Sequence, residues 1–255
     1  MPDLLSDHRS RAAWPRRAAL AAALATLSAC GPTRLAPLTG PSRGRVIVLR
    51  GLLNVFSTGM NVLTAQLRAR NFDASVHNYV DWRRLAAEAE DAARDGTLAR
   101  PFAIIGHSFG ADDAVVMANH LGRRNVPVDL LVTFDATAAD PIGPGVRHVL
   151  NFYQTRDPTF VRTLATAPGF SGTLENRLVT GESHISIDKD TALHTAVIDL
   201  LQAMAGPHYA APMAGPAGGV PAWPATAHPP AYPPAAPATA SALPPAGPIQ
   251  PPPAR

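Results

Sequence analysis

Gly106-His107-Ser108-Phe109-Gly110 sets a serine between two glycines in the pattern G-x-S-x-G. A serine hydroxyl becomes a useful nucleophile only beside a base that takes its proton and near donors that hold the oxygen of a tetrahedral intermediate. The glycines serve that chemistry by removing side chains where a sharp turn between a strand and a helix would have them collide. At ordinary glycine content such a pattern arises by chance in a chain of this length on the order of one time in ten. Its surroundings therefore decide its meaning.

Those surroundings are an apolar run before the serine and an amphipathic stretch after it. Phe102 to Gly106 reads as a buried strand and Ala111 to Arg123 as a helix. The same alternation extends in both directions. Strands are expected at Arg45 to Arg50, Asp73 to Val80, Val128 to Phe134, Val146 to Tyr153 and Asn176 to Thr180, and helices at Gly59 to Arg70, Trp82 to Arg94 and Lys189 to Met204. Continuous apolar strands alternating with helices predict an α/β fold: a mostly parallel sheet of about six strands with helices on both faces. Reactive groups in such sheets gather at the carboxyl ends of strands, which here means the loops 51–57, 106–110, 135–140, 154–159 and 181–188.

An elbow serine in this context resembles the α/β-hydrolase superfamily, in particular its lipase, esterase and thioesterase-like members, over residues 44–205. The resemblance implies a triad in the chain order Ser, Asp or Glu, His, and hence Ser108 as nucleophile. The base then follows the acid, so His77, His107 and His120 fall away, while His148 sits within an expected strand and His194 within the last helix. His184, in Gly181-Glu182-Ser183-His184, remains. Two acids compete. Asp135 ends the strand after the nucleophile helix, the placement in pancreatic-type lipases; Asp157 ends the next strand, where most members carry it. Asp135 is favoured because the longest apolar run leads straight into it, whereas Asp157 between Arg156 and Pro158 also suits an ordinary turn. Asp112 and Asp113 fall in the first turn of the helix after Ser108, where the helix dipole accounts for them. The oxyanion hole implied by the resemblance takes the backbone N–H of Phe109 and one from the loop after the first strand, Leu52 ahead of Leu53. Arg50 stands where lipases and esterases commonly carry histidine. No cofactor and no metal is required.

Only about a dozen residues join Asp135 to Arg147, too few for a large cap, so an open site is expected unless residues 52–60 or 159–173 fold over it. The expected activity is cleavage of carboxylic esters or thioesters through an acyl-enzyme. An acyltransferase would use the same residues, and a non-catalytic envelope lipoprotein with a hydrolase-like fold is the alternative from another class.

The two ends of the chain speak to location. Residues 9–17 carry four arginines, residues 18–29 are apolar or small, and Cys30, the only cysteine, follows at once. Leu27-Ser28-Ala29-Cys30 resembles the lipobox of bacterial lipoproteins, which implies a signal peptide over 1–29, lipidation of Cys30, a linker over 30–43 and membrane attachment through the acyl chains. Gly31 is not the aspartate that retains lipoproteins at the inner membrane, so the periplasmic face of the outer membrane is expected. Residues 206–255 hold 16 of the 27 prolines and read as an extended, disordered tail, a spacer or a ligand for an envelope partner. The formal charge of +3 falls to about +1 once residues 1–29 are set aside, and no basic stripe tracks a phosphate backbone, so nucleic acid is excluded as a partner.

Overall fold

The computed structural model of the chain describes residues 35–52, 57–158 and 163–206. Residues 1–29, where a signal peptide is expected, Cys30, Leu53 and the proline-rich stretch after Gly206 lie outside the described residues.

The central strands form where β-branched, leucine and phenylalanine residues predominate. β1 (Arg45–Arg50), β3 (Phe102–His107), β4 (Val128–Phe134) and β5 (Val146–Tyr153) are buried almost throughout. β2 (Asp73–Asn78) and β6 (Thr173–Leu178) are more polar and form the two edges. All six lie parallel in the order β2-β1-β3-β4-β5-β6. Successive side chains of a strand point to opposite faces, and β1 shows how both are used. Val46 and Val48 pack into one apolar layer with Met60, Leu63 and Leu67 of α1 (Thr58–Arg68) and with Val197 and Leu201 of α4 (Thr191–Met204). Ile47 and Leu49 pack into the other with Leu85 and Ala86 of α2 (Trp82–Arg94) and Ala114 and Met117 of α3 (Phe109–Arg123). The fold is thus a sheet between two helical layers. Among the described residues no helix is long and apolar enough to cross a membrane.

Several boundaries differ from the expectation. The ladder of β2 stops at Asn78, whose side chain accepts the N–H of Val80 at 3.2 Å and starts a 3-10 turn at Tyr79–Asp81. β6 begins at Thr173, not at Asn176, because its neighbour Gly172 lets the chain close on β5: a Cβ there would stand 2.4 Å from the carbonyl oxygen of Val146. α3 starts at Phe109 directly after the nucleophile turn, with the Ser108 carbonyl accepting from Ala111 and Asp112. α4 starts at Thr191, not at Lys189, because the Asp190 side chain accepts from Ala192 and Leu193 and caps it there.

From β1 the chain continues outward to β2, then returns across the sheet to β3. The carboxyl ends of β1 and β3 therefore flank the point where strand order reverses, the usual place for a crevice. The loops after β1 and β3 meet there.

Candidate active site

Ser108 sits at that crevice, 8% exposed, with φ 59° and ψ −130°. Among the described residues four non-glycine residues have positive φ, and two are asparagines just past the ends of α1 and α3, the residue type that tolerates this region best. The other two are Ser108 and Asp135. A strained backbone of this kind costs about 1–3 kcal/mol and persists only where its surroundings hold it. For Ser108 the packing is explicit. A Cβ on Gly106 would lie 2.1 Å from the carbonyl oxygen of Gly110, and one on Gly110 would lie 2.4 Å from that of Leu49. Gly51 presses on the serine from β1, where a Cβ would approach Ser108 Cβ to 2.8 Å. No side chain fits at these three positions without moving backbone.

The register of β3 on β4 pairs His107 with Phe134, so the residues that follow, Ser108 and Asp135, leave the sheet side by side. Ser108 N–H donates to the Phe134 carbonyl at 3.0 Å, and Asp135 N–H donates to that of Phe152 at 2.7 Å. His184 arrives from the loop after β6. Its Nε2 stands 2.9 Å from Ser108 Oγ and its Nδ1 stands 2.7 Å from Asp135 Oδ2. An ionised carboxylate only accepts, so Nδ1 carries the proton and Nε2 is free to accept that of the serine. Asp135 is fully buried.

Asp157 does not reach the imidazole. Its Oδ2 accepts the backbone N–H of His184 at 2.7 Å. Gln154 links the two acids, donating from Nε2 to Asp135 Oδ2 at 2.8 Å and accepting the Asp157 N–H at 2.8 Å. Asp112 also has a partner beyond the helix dipole. Its carboxylate accepts from the N–H of Thr137 and Ala138, at 2.8 and 3.0 Å, and from the Thr137 hydroxyl. It thereby ties the loop that follows Asp135 to α3.

Around the serine, Phe109 is the first residue of α3 and has no intrahelical acceptor for its N–H. The N–H of Gly51 is consumed by Ser57 Oγ at 2.9 Å, so Gly51 itself has none to offer a substrate oxygen. Leu52 is described and exposed, and Leu53 lies outside the described residues. Arg50 reaches α1, where Nη1 donates to Asn61 Oδ1 at 3.5 Å. His148 and His194 are buried in β5 and α4, away from the serine's hydrogen-bond chain. Among the described residues no three His, Cys, Asp or Glu side chains converge as metal ligands would.

Ser57, Gln154 and His107 fall in the loops 51–57, 154–159 and 106–110, but no role for any of them was legible in the sequence. His107 Nδ1 lies 2.8 Å from Ser57 Oγ, and its Nε2 lies 2.8 Å from the carbonyl oxygen of His184. Burial, ahead of every charge nearby, pushes its pKa below the usual histidine value. The only hint in the sequence was its place inside the G-x-S-x-G run.

Six parallel strands in this order, an elbow serine between β3 and α3, and an acid and a base delivered by later strand ends are the arrangement of the α/β-hydrolase fold. A family model described as the thioesterase domain matches residues 39–148, a stretch that holds Ser108 and Asp135 and ends before His184. With the assembled site, it marks the chain as a hydrolase enzyme. Comparison with curated proteins gave no match. Among solved structures, the chain is similar to esterase PE8, at 14% identity over 68% of this chain and 98% of that one, with a TM-score of 0.45. It is also similar to the thioesterase RedJ from the prodiginine biosynthetic pathway in Streptomyces coelicolor, at 15% identity over 66% and 96% of the two chains, TM-score 0.45. The type II thioesterase BorB from the borrelidin biosynthetic cluster is comparable, at 14% identity over 69% and 97%, TM-score 0.44.

Proposed function

We propose that the protein is a membrane-anchored serine hydrolase that cleaves carboxylic esters or thioesters through an acyl-enzyme on Ser108. The observation that carries this reading is the unbroken hydrogen-bond chain from Ser108 through His184 to Asp135. In this mechanism His184 Nε2 takes the serine proton as Oγ attacks the acyl carbon. Asp135 holds the ring and offsets the charge of the imidazolium. The N–H groups of Phe109 and Leu52 receive the developing oxyanion. His184 then returns the proton to the leaving alcohol or thiol, and a water activated by the same base clears the acyl group.

An apolar acyl group suits the surroundings of the serine. Leu52, Val80, Phe109 and Ile185 are exposed although large and apolar, and each belongs to a segment that follows a strand's carboxyl end. The Phe109 ring also packs on Tyr79, with centroids 5.9 Å apart. The anchor and the location at the periplasmic face of the outer membrane rest on Leu27-Ser28-Ala29-Cys30, and an envelope partner for the tail on residues 206–255.

The test is a fluorophosphonate serine-hydrolase probe applied to the full chain in detergent, with turnover of p-nitrophenyl esters measured alongside. The parent should label and turn over, and Ser108→Ala should do neither, with kcat lower by several orders of magnitude because nucleophile and base act as a unit. Equal turnover by the two would overturn the reading.

A further inference from the structure

We infer that His107 is a positioning residue that fastens both the oxyanion loop and the base loop to the nucleophile strand through one imidazole of fixed tautomer. The inference rests on the serine-hydrolase reading above and concerns a residue outside the triad.

His107 is the last residue of β3, is 1% exposed, and immediately precedes the nucleophile. Its two ring nitrogens point the chain in opposite directions. A carbonyl oxygen only accepts, so the bond to His184 requires the proton on Nε2. Nδ1 of the neutral ring is then an acceptor, and Ser57 Oγ–H must donate to it. The same Ser57 oxygen accepts the Gly51 N–H. Every proton in the series Gly51, Ser57, His107, His184 thus has one assigned place. Burial favours this neutral ring by penalising the charged one.

The two ends of that series are the two parts of the site that lie outside β3. Gly51 lies directly before the expected oxyanion donor Leu52 and packs on Ser108. The His184 carbonyl belongs to the residue whose ring receives the serine proton. With both nitrogens engaged, His107 has none to offer a substrate, so its role is placement. A second tie joins the same loops farther along. Asp188 Oδ2 accepts the Gly59 N–H at 2.9 Å, and a Cβ on Gly59 would stand 1.8 Å from the Asp188 carbonyl oxygen. Ser57 and Gly59, after β1, are thereby tied to His184 and Asp188, after β6, and His107 holds these residues against the serine.

Loosening the ring should displace donor and base together in the transition state, while ground-state binding of the acyl group changes little. An ångström of misplacement is worth about 100-fold in rate, so His107→Leu should lower kcat by about 30-fold or more with KM within about threefold. Two milder variants split the link. Asn places an amide oxygen near the position of Nδ1 and keeps the Ser57 bond; Gln places an amide nitrogen near Nε2 and keeps the His184 bond. Ser57→Ala supplies the cycle. In the His107→Asn background it should cost as much as in the parent, whereas in the His107→Gln background, where the acceptor of the Ser57 hydroxyl is already gone, it should cost less, only what the Gly51 N–H bond contributes.

The experiment measures kcat and KM of the full chain on p-nitrophenyl esters, with melting temperatures, for the parent, Ser108→Ala, the three His107 variants, Ser57→Ala and the two doubles. A residue that serves only the core would lower the melting temperature and give additive costs in both backgrounds. Costs that add in the His107→Gln background as they do in the His107→Asn background, or a folded His107→Leu with the parent's kcat, would overturn the inference. Should His107→Leu fail to fold, the Asn and Gln cycles decide. Parent turnover that survives Ser108→Ala would instead sink the serine-hydrolase reading, so the two failures are distinguishable.

Discussion

The Asp157 carboxylate accepts the backbone N–H of His184 at 2.7 Å, while a different acid, Asp135, holds the ring of that histidine. Gln154 bridges the two. One carboxylate orients the imidazole, and the other fixes the loop from which it projects.

This division separates the two acids experimentally. Asp135→Asn should leave the fold intact and lower kcat by about 10³–10⁴-fold, because an amide can donate to Nδ1 and favour the wrong tautomer. Asp157→Asn keeps an oxygen for the His184 N–H and should cost about tenfold or less, since one charge-assisted bond becomes a neutral one. Ester turnover and melting temperature of both variants check this. Larger loss in Asp157→Asn would transfer the orienting role to Asp157.

Cys30 should carry the anchor. Growth of the producing cells with a clickable palmitate analogue should mark the protein, and Cys30→Ala should erase the mark and release the protein from the membrane fraction, since acyl chains supply the attachment. A mark that persists on the variant would contradict lipidation at this cysteine.

His148 should make stability depend on pH. The side chain is 7% exposed, and among the described residues neither ring nitrogen meets a hydrogen-bond partner. Burial pushes its pKa below 6.5, with Glu175 opposing and Arg177 reinforcing. The unfolded chain then takes up a proton that the folded one refuses, so stability is complete above 6.5 and declines as pH falls below it. His107 and His194 are shifted the same way, again first by burial. Between about pH 7.5 and about 5.5 the melting temperature of His148→Leu should fall less than that of the parent. An equal fall in thermal unfolding would reject the assignment.

What was legible in the sequence is what neighbouring residues encode among themselves. RVIVLR, FAIIGH and VDLLVTF are predominantly apolar because both faces of a central parallel strand are covered, and such runs announce themselves. The elbow is local in part, since the collision that demands Gly106 is with Gly110 a few residues on, whereas the one that demands Gly110 is with Leu49 of β1. The polar edge strand β6 was placed late because nothing in its alternation marks Thr173; its start is set by where Gly172 lets it approach β5.

The apolar run that leads into Asp135 favoured it as the acid, but the role of Asp157 was decided by tertiary structure. No local pattern tells that its carboxylate meets the backbone of the same histidine whose ring, 49 residues beyond Asp135, meets the first acid. That arrangement follows from β4 lying next to β3 with His107 opposite Phe134, which brings Asp135 out beside Ser108. The bond from His107 to Ser57 spans 50 residues and the one from Ser108 to His184 spans 76. Such contacts depend on strand order, register and the return path of loops, which are properties of how segments pack rather than of any segment's own composition.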